Sequence, residues 1–252
     1  MFARPIVLIS CLWLQLEHAG PAPGPAPQQA PKGLIKGKAL FSGDPKDHQP
    51  APIWPPNPRD TFCSERHRRD PIMREEVLLN VDTDPATLRN VVVSLKTPVG
   101  SENVPVPPVV VEMHGCVFRP HVVALRTGQT LRFVNADDHL MNVHLYPAVN
   151  QEANYNRPRR GEQLDFQLKS EPPFRVKSDI HPWTSVWVAV FDHPFFAVTG
   201  DEGTFRIENV PPGKHVLEAW HEKLGTLEAN VEVAPGETET ADFTFAPRLS
   251  TP

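Results

Sequence analysis

Proline interrupts this chain too often for a long helix to form in it. A helix interior loses a hydrogen bond and gains a clash at each proline. The 30 prolines among 252 residues fall in the N-terminal third and between short apolar runs. The expected fold is therefore all-β, with many short strands bounded by Gly, Pro, Asn or Asp. The first run is Leu34-Ile35-Lys36-Gly37-Lys38-Ala39-Leu40-Phe41, which stops at Ser42-Gly43-Asp44-Pro45. Others cover 76–81, 90–95, 109–113, 121–125, 130–135 and 141–145, then 174–177, 185–191, 203–207, 215–220, 227–233 and 241–245. This spacing indicates β-sandwiches or barrels, and a chain of 252 residues can hold two of modest size, each with its own core. The Asn- and Arg-rich segment 148–161 reads as the longest loop of the central region.

Charge and the N-terminus narrow the setting. A formal net charge of −5 offers no basic field, so nucleic acid is not an expected partner. The basic runs Arg66-His67-Arg68-Arg69 and Arg157-Pro158-Arg159-Arg160 read as solvated loops. Residues 1–20 carry Arg4 and then an apolar stretch from Ile6 to Leu14, too short to span a bilayer and suited to a secretory signal. The expected location is periplasmic, cell-envelope or extracellular. Leu8-Ile9-Ser10-Cys11 also resembles a bacterial lipobox, so a membrane is a partner only if Cys11 is lipidated. Residues 21–33 are a Pro-rich tether that cannot bury apolar surface. If Cys11 leaves with the signal, Cys63 and Cys116 remain. In an oxidising compartment they are expected to form one disulfide, contributing about 2–4 kcal/mol, with two separate buried thiols as the alternative.

Residues 109–187 carry the most specific pattern. Val122 to Asn135 reads as strand, Gly turn at Gly128, strand and terminal Asn; Met141-Asn142-Val143-His144 follows, and then Ser178-Asp179-Ile180-His181-Pro182-Trp183-Thr184. The plan resembles the cupredoxins, and within them the plastocyanin-like proteins of exported bacterial origin. Those proteins write His-Asn-Val at the first of these places and Cys-x-x-His-x-x-Met at the second. The resemblance implies a Greek-key β-sandwich and a blue-copper site of two imidazoles, a thiolate and a weak axial thioether. Here Met141 replaces the first His, Ser178 replaces the Cys and Thr184 replaces the Met, so only His181 matches. A serine hydroxyl is a poor partner for a soft ion, and a blue centre is not expected.

Copper stays open by another route. Imidazoles concentrate between His114 and His221, and His139 leans to the same face of an extended strand as Met141. His181 with Met141 or His139 is thus a candidate rearranged metal site; the competing reading is that these are leftover, hydrogen-bonded residues and no cofactor binds. Ser178, Asp179 and His181 do not read as a hydrolytic triad, because triads are assembled by the fold and not packed into four residues.

Residues 188–246 read as a second module. Asp201 to Gly203 supplies a hairpin turn, Phe205 and Ile207 share a face, and Pro212-Gly213 turns the chain again. The run Ala197 to Trp220 resembles carboxypeptidase regulatory-like and rhamnogalacturonan-lyase middle domains, which share a carbohydrate-binding-like fold. Trp183, Trp187, Phe195, Phe196 and Trp220 could stack on sugar or pack a core. Asp192-His193-Pro194 and Trp220-His221-Glu222 are expected at the junction of the modules. The N-terminal β-region, 34–108, contains runs that look like first strands of this module. A simple tandem and a cupredoxin-like unit inserted in a discontinuous sandwich therefore fit the sequence equally.

The function expected from these residues is that of a non-enzymatic, exported envelope protein acting as a binding or scaffold module with a relic copper site. A copper-binding or electron-transfer protein with a rearranged His/Met site is the first alternative. Polysaccharide recognition is the second, and a polysaccharide or an envelope protein is the partner these readings imply.

Overall fold

The computed structural model describes residues 30–53, 60–96 and 105–247. The expected signal and most of the expected tether lie outside them. The fold is all-β, with one α-helix, Thr61–Arg66, and one short 3-10 turn, Pro45–His48, among the described residues. No helix among those residues is long and apolar enough to cross a membrane.

One sandwich is made from both ends of the described chain. Its first sheet centres on Gly33–Phe41, which pairs antiparallel with Thr204–Val210 and Thr87–Leu88 and parallel with Thr238–Thr240 and Phe243–Phe245. Its second runs Phe196–Val198, Val92–Leu95, Gly213–His221, Gly225–Val233. Alternation sends Ile35, Ala39 and Phe41 inward to meet Leu95, Phe205, Leu217 and Phe245. Two glycines permit the close fit. A Cβ on Gly37 would lie 1.8 Å from the Ala241 carbonyl oxygen, and Gly203 closes its turn at φ +65° against Thr87. Strands before residue 96 thus share sheets and a core with strands after 195, and a second sandwich occupies the interval.

That second sandwich pairs the sheet Gln163–Gln167, Thr130–Asn135, Val109–His114, Val117–Arg119 with the sheet Ala153–Arg157, Met141–Tyr146, Glu171–Lys177, Ser185–Phe191, Val122–Arg126. In Thr130–Asn135 the residues Leu131, Phe133 and Asn135 point inward in strict alternation. They join Val111, Phe118, Met141, Val143, Val176 and Val188 in a core, or its polar margin, shared by both sheets. Each large apolar side chain buried there contributes roughly 1.5–3 kcal/mol.

The structure corrects two local expectations. The segment 148–161 is not one long loop: Ala153–Arg157 forms an edge strand on Met141–Tyr146. Its burial is slight and its residues polar, so backbone pairing alone holds it. Arg66 and His67 are not free in solvent either. Arg66 Nη2 bonds His114 Nε2 at 3.0 Å and His67 Nε2 donates to the Gly115 carbonyl at 2.6 Å, so the helix is fastened to the 114–116 turn.

The sandwiches meet along a seam. Val92, Val122 and Ala189 are buried there, with Trp187 and Trp220 edge to face at 5.2 Å. Glu222 accepts from Trp187 Nε1 and pairs with His121. Asp192 accepts from Thr127 Oγ1 at 2.6 Å, while the His193 ring lies between Phe191 and Phe195. The aromatic residues weighed for sugar stacking are largely committed to such packing: Phe195 is in the core, Phe196 stacks on Phe191, and Trp187 and Trp220 fill the seam.

Candidate metal centre

Three of the four positions that the resemblance would assign to a blue-copper site do other work. Ser178 is buried, and its Oγ accepts the His181 backbone N–H at 3.0 Å. Thr184 Oγ1 accepts the Phe118 amide at 2.7 Å, and the Thr184 amide donates to the His181 carbonyl at 3.0 Å. Met141 is fully buried in the apolar core. The Ser178 hydroxyl serves as a turn acceptor where the resemblance would place a thiolate, and Thr184 is engaged with a neighbouring strand. The residues present do not fit a blue centre.

His181 is different. It is 0% exposed, and neither Nδ1 nor Nε2 makes a hydrogen bond. A buried imidazole without partners is uncommon, since the desolvation is uncompensated. Burial first, and the nearby His139 second, push its pKa down, so the ring is held neutral with a free lone pair. Its Nε2 lies 3.4 Å from Asp60 Oδ2, outside hydrogen-bond geometry.

Three segments bring the neighbours. His139 precedes strand Met141–Tyr146, and its backbone carbonyl accepts from Asn135 Nδ2 at 2.7 Å. Its ring stacks on Phe62 at 4.9 Å, sits 5.3 Å from the His181 ring, and places Nε2 3.2 Å from Asp60 Oδ2. Asp60 caps the helix Thr61–Arg66: Oδ1 accepts the Cys63 amide at 3.0 Å, which leaves Oδ2 facing the two imidazoles. Burial alone would raise the Asp60 carboxyl, but the Cys63 amide, His139 and His181 together hold it below its ordinary value. Cys63 is bridged to Cys116 with Cα atoms 6.0 Å apart. The donor atoms of Asp60, Cys63, His139 and His181 all lie within 4.8 Å of one another.

A second layer fixes this group. Asp137 is buried and accepts the Gly115 and Cys116 amides at 2.9 and 2.8 Å. Trp183 Nε1 donates to the Cys116 carbonyl at 3.0 Å, and the Trp183 ring lies edge-on to His181 at 5.1 Å.

Of the residues singled out in the sequence, the structure gathers His139 and His181, while Met141 lies in the core. Asp60 was not anticipated. Ser178, Asp179 and His181 do not converge as a triad, because Asp179 faces away and pairs with His144 Nδ1 at 2.9 Å. Burial would lower the His144 pKa, but Glu152 and Asp179 outweigh it and raise it.

Known proteins resemble part of this chain in structure. A Cu-containing nitrite reductase from Thermus scotoductus SA-01 is 23% identical, with a TM-score of 0.30, over 38% of this chain and 25% of its own. A copper(I) form of an amicyanin variant is 18% identical, with a TM-score of 0.30, over 39% of this chain and 97% of its own. A reduced amicyanin tryptophan-to-tyrosine mutant is 17% identical, with a TM-score of 0.31, over the same shares. No protein-family model matches the chain, and no curated protein matches it in sequence.

Proposed function

We propose that this is a non-catalytic, exported metal-binding protein that holds a divalent ion, Cu2+ or Zn2+, on Asp60, His139 and His181 at the former blue-copper end of its cupredoxin-like sandwich. The observation that carries this reading is the buried His181 ring, unpartnered at both nitrogens and set beside a second imidazole and a carboxylate. Two imidazoles and one carboxylate oxygen suit borderline divalent ions. Asp60 supplies the negative charge that offsets part of the ion's own, and Phe62 and Trp183 hold the imidazole planes. With no thiolate among these three donors the covalent electron path of a blue centre is missing, so the reading is binding and carriage of the ion rather than electron transfer. The Cys63–Cys116 bridge accords with an oxidising compartment.

Metal analysis and calorimetry on the oxidised mature protein test the proposal. One equivalent of Cu2+ or Zn2+ should bind without an intense blue band, and His181→Ala should abolish that binding. Unchanged affinity in His181→Ala, or no binding of either ion by the parent, overturns it.

A further inference from the structure

Four donor atoms, not three, surround the candidate centre, and the fourth is the sulfur of Cys63. We propose that Cys63 is an alternative fourth ligand. In the reduced chain its thiolate joins Asp60, His139 and His181 on the metal, and the bridge to Cys116 takes that ligand away. The inference rests on the three-ligand reading above and adds a second, redox-defined state of the same site.

The backbone of Cys63 has anchors besides the bridge. Its amide is fastened to Asp60 Oδ1 at 3.0 Å in the first turn of the helix, so sulfur and carboxylate are placed by one cap. The helix is anchored at its other end by Arg66 to His114 and by His67 to the Gly115 carbonyl. The opposite turn is equally secured. Asp137 holds the amides of Gly115 and Cys116, and Trp183 holds the Cys116 carbonyl. Opening the bridge leaves both backbone turns held by these bonds while the two sulfurs separate from bonding distance, which frees the Cys63 sulfur beside two imidazoles. A closed set of thiolate, two imidazoles and a carboxylate is a four-ligand zinc or copper environment, softer than the three-ligand set.

Metal entry into the reduced chain exchanges the Cys63 thiol proton for the metal–sulfur bond and releases one proton. Bridge formation removes two electrons and two protons from Cys63 and Cys116 and passes them to the disulfide of an oxidising partner, which leaves as two thiols. Both sulfurs are buried in the closed fold, so an external thiol or disulfide has no direct access to them. The choice between ligand and bridge is therefore made as the chain folds, by whether metal or oxidant arrives first.

Two variants that lose the bridge equally separate the possibilities. Cys116→Gly keeps Cys63, and glycine suits the φ of +61° at that position; Cys63→Ala keeps only Cys116. Each is titrated with Co2+, whose thiolate complexes show intense charge-transfer absorption that imidazole–carboxylate complexes lack. The expected result is that absorption in Cys116→Gly and its absence in Cys63→Ala. Co2+ binding without the band in both variants overturns the role of Cys63 and leaves the three-ligand reading standing. No Co2+ binding in either, or in the oxidised parent, overturns both. If loss of the bridge unfolds the variants, the parent chain refolded in reductant with Zn2+ decides. Alkylation in mild denaturant, which opens the buried thiols to reagent, followed by peptide mapping, should label Cys116 ahead of Cys63, and equal rates overturn the inference.

Discussion

Trp187 Nε1 donates a 2.8 Å hydrogen bond to Glu222 Oε2, and with it the two sandwiches share a buried polar contact. Glu222 is 7% exposed at its side chain and also pairs with His121. Glu222→Ala should strand the indole N–H and the imidazole together, at a cost of about 1–3 kcal/mol. Glu222→Gln, which keeps an acceptor, should cost less. Urea denaturation of the two variants checks the order; equal midpoints for Ala, Gln and parent would remove this contact from the stability of the seam.

The residue beside it predicts the acid sensitivity of the fold. His221 is 2% exposed, its Nδ1 accepts the Lys223 and Leu224 amides at 3.2 Å each, and burial above all pushes its pKa down to about 4. The unfolded chain takes up a proton near pH 6.5 that the folded chain refuses until about pH 4. Stability is therefore complete above pH 6.5 and declines between 6.5 and 4, by about 3 kcal/mol from this group. Midpoints measured from pH 7 to pH 4 should fall, and His221→Gln should flatten that fall. Glu222, held below its ordinary value as its pairing outweighs the burial that would raise it, adds a further loss only at lower pH, as its carboxylate protonates.

Asp60→Asn isolates the metal role of its carboxylate, because asparagine caps a helix as well as aspartate does. Zn2+ or Cu2+ at a hundred times its dissociation constant should stabilise the parent by about 2.7 kcal/mol. Without metal the variant should lose only what the Asp60–His139 pairing contributes, and with metal it should lose most of this increment. Thermal shifts with and without the ion measure both, and an undiminished shift in Asp60→Asn would exclude the carboxylate as a ligand.

The bridge itself closes a sequence separation of 53 residues. Chain-entropy arguments give about 4 kcal/mol for a loop of that size. The double variant Cys63→Ala/Cys116→Gly, free of metal, should lose about that much in chemical denaturation. A loss below about 1 kcal/mol would mean that the anchors from His67 and Asp137 secure the turn without help.

The strands with clean alternation or a continuous apolar run were legible in the sequence. Thr130–Asn135 and Ser185–Phe191 fall where their residues place them. The all-β class follows from the same pattern. Ala153–Arg157 was not legible, since an edge strand of polar residues carries no apolar period. Thr87–Leu88 has only two residues, too few to show a period. At the site, His139 and His181 could be read from their spacing to the degenerate positions. Asp60 could not, because it lies 79 residues before His139. One signal did point to it: once Cys63 is paired with Cys116, the residue three places earlier must lie at the same end of the sandwich.

The split sandwich also sets an order of assembly. Gly33–Phe41 has partners at Thr204–Val210, Thr238–Thr240 and Phe243–Phe245, so during synthesis it waits for nearly the whole chain. The inner sandwich has all its strands between Val109 and Phe191, and the segments that flank it lie side by side, the Leu95 amide donating to the Phe195 carbonyl at 3.0 Å. The inner fold thereby shortens the loop that the outer one has to close. Until then Gly33–Phe41 is an apolar strand with open edges, the kind of segment that recruits a neighbouring chain. A chain released or cut before residue 204 would carry that exposed strand permanently, which makes the last strands guardians of solubility as well as parts of a core.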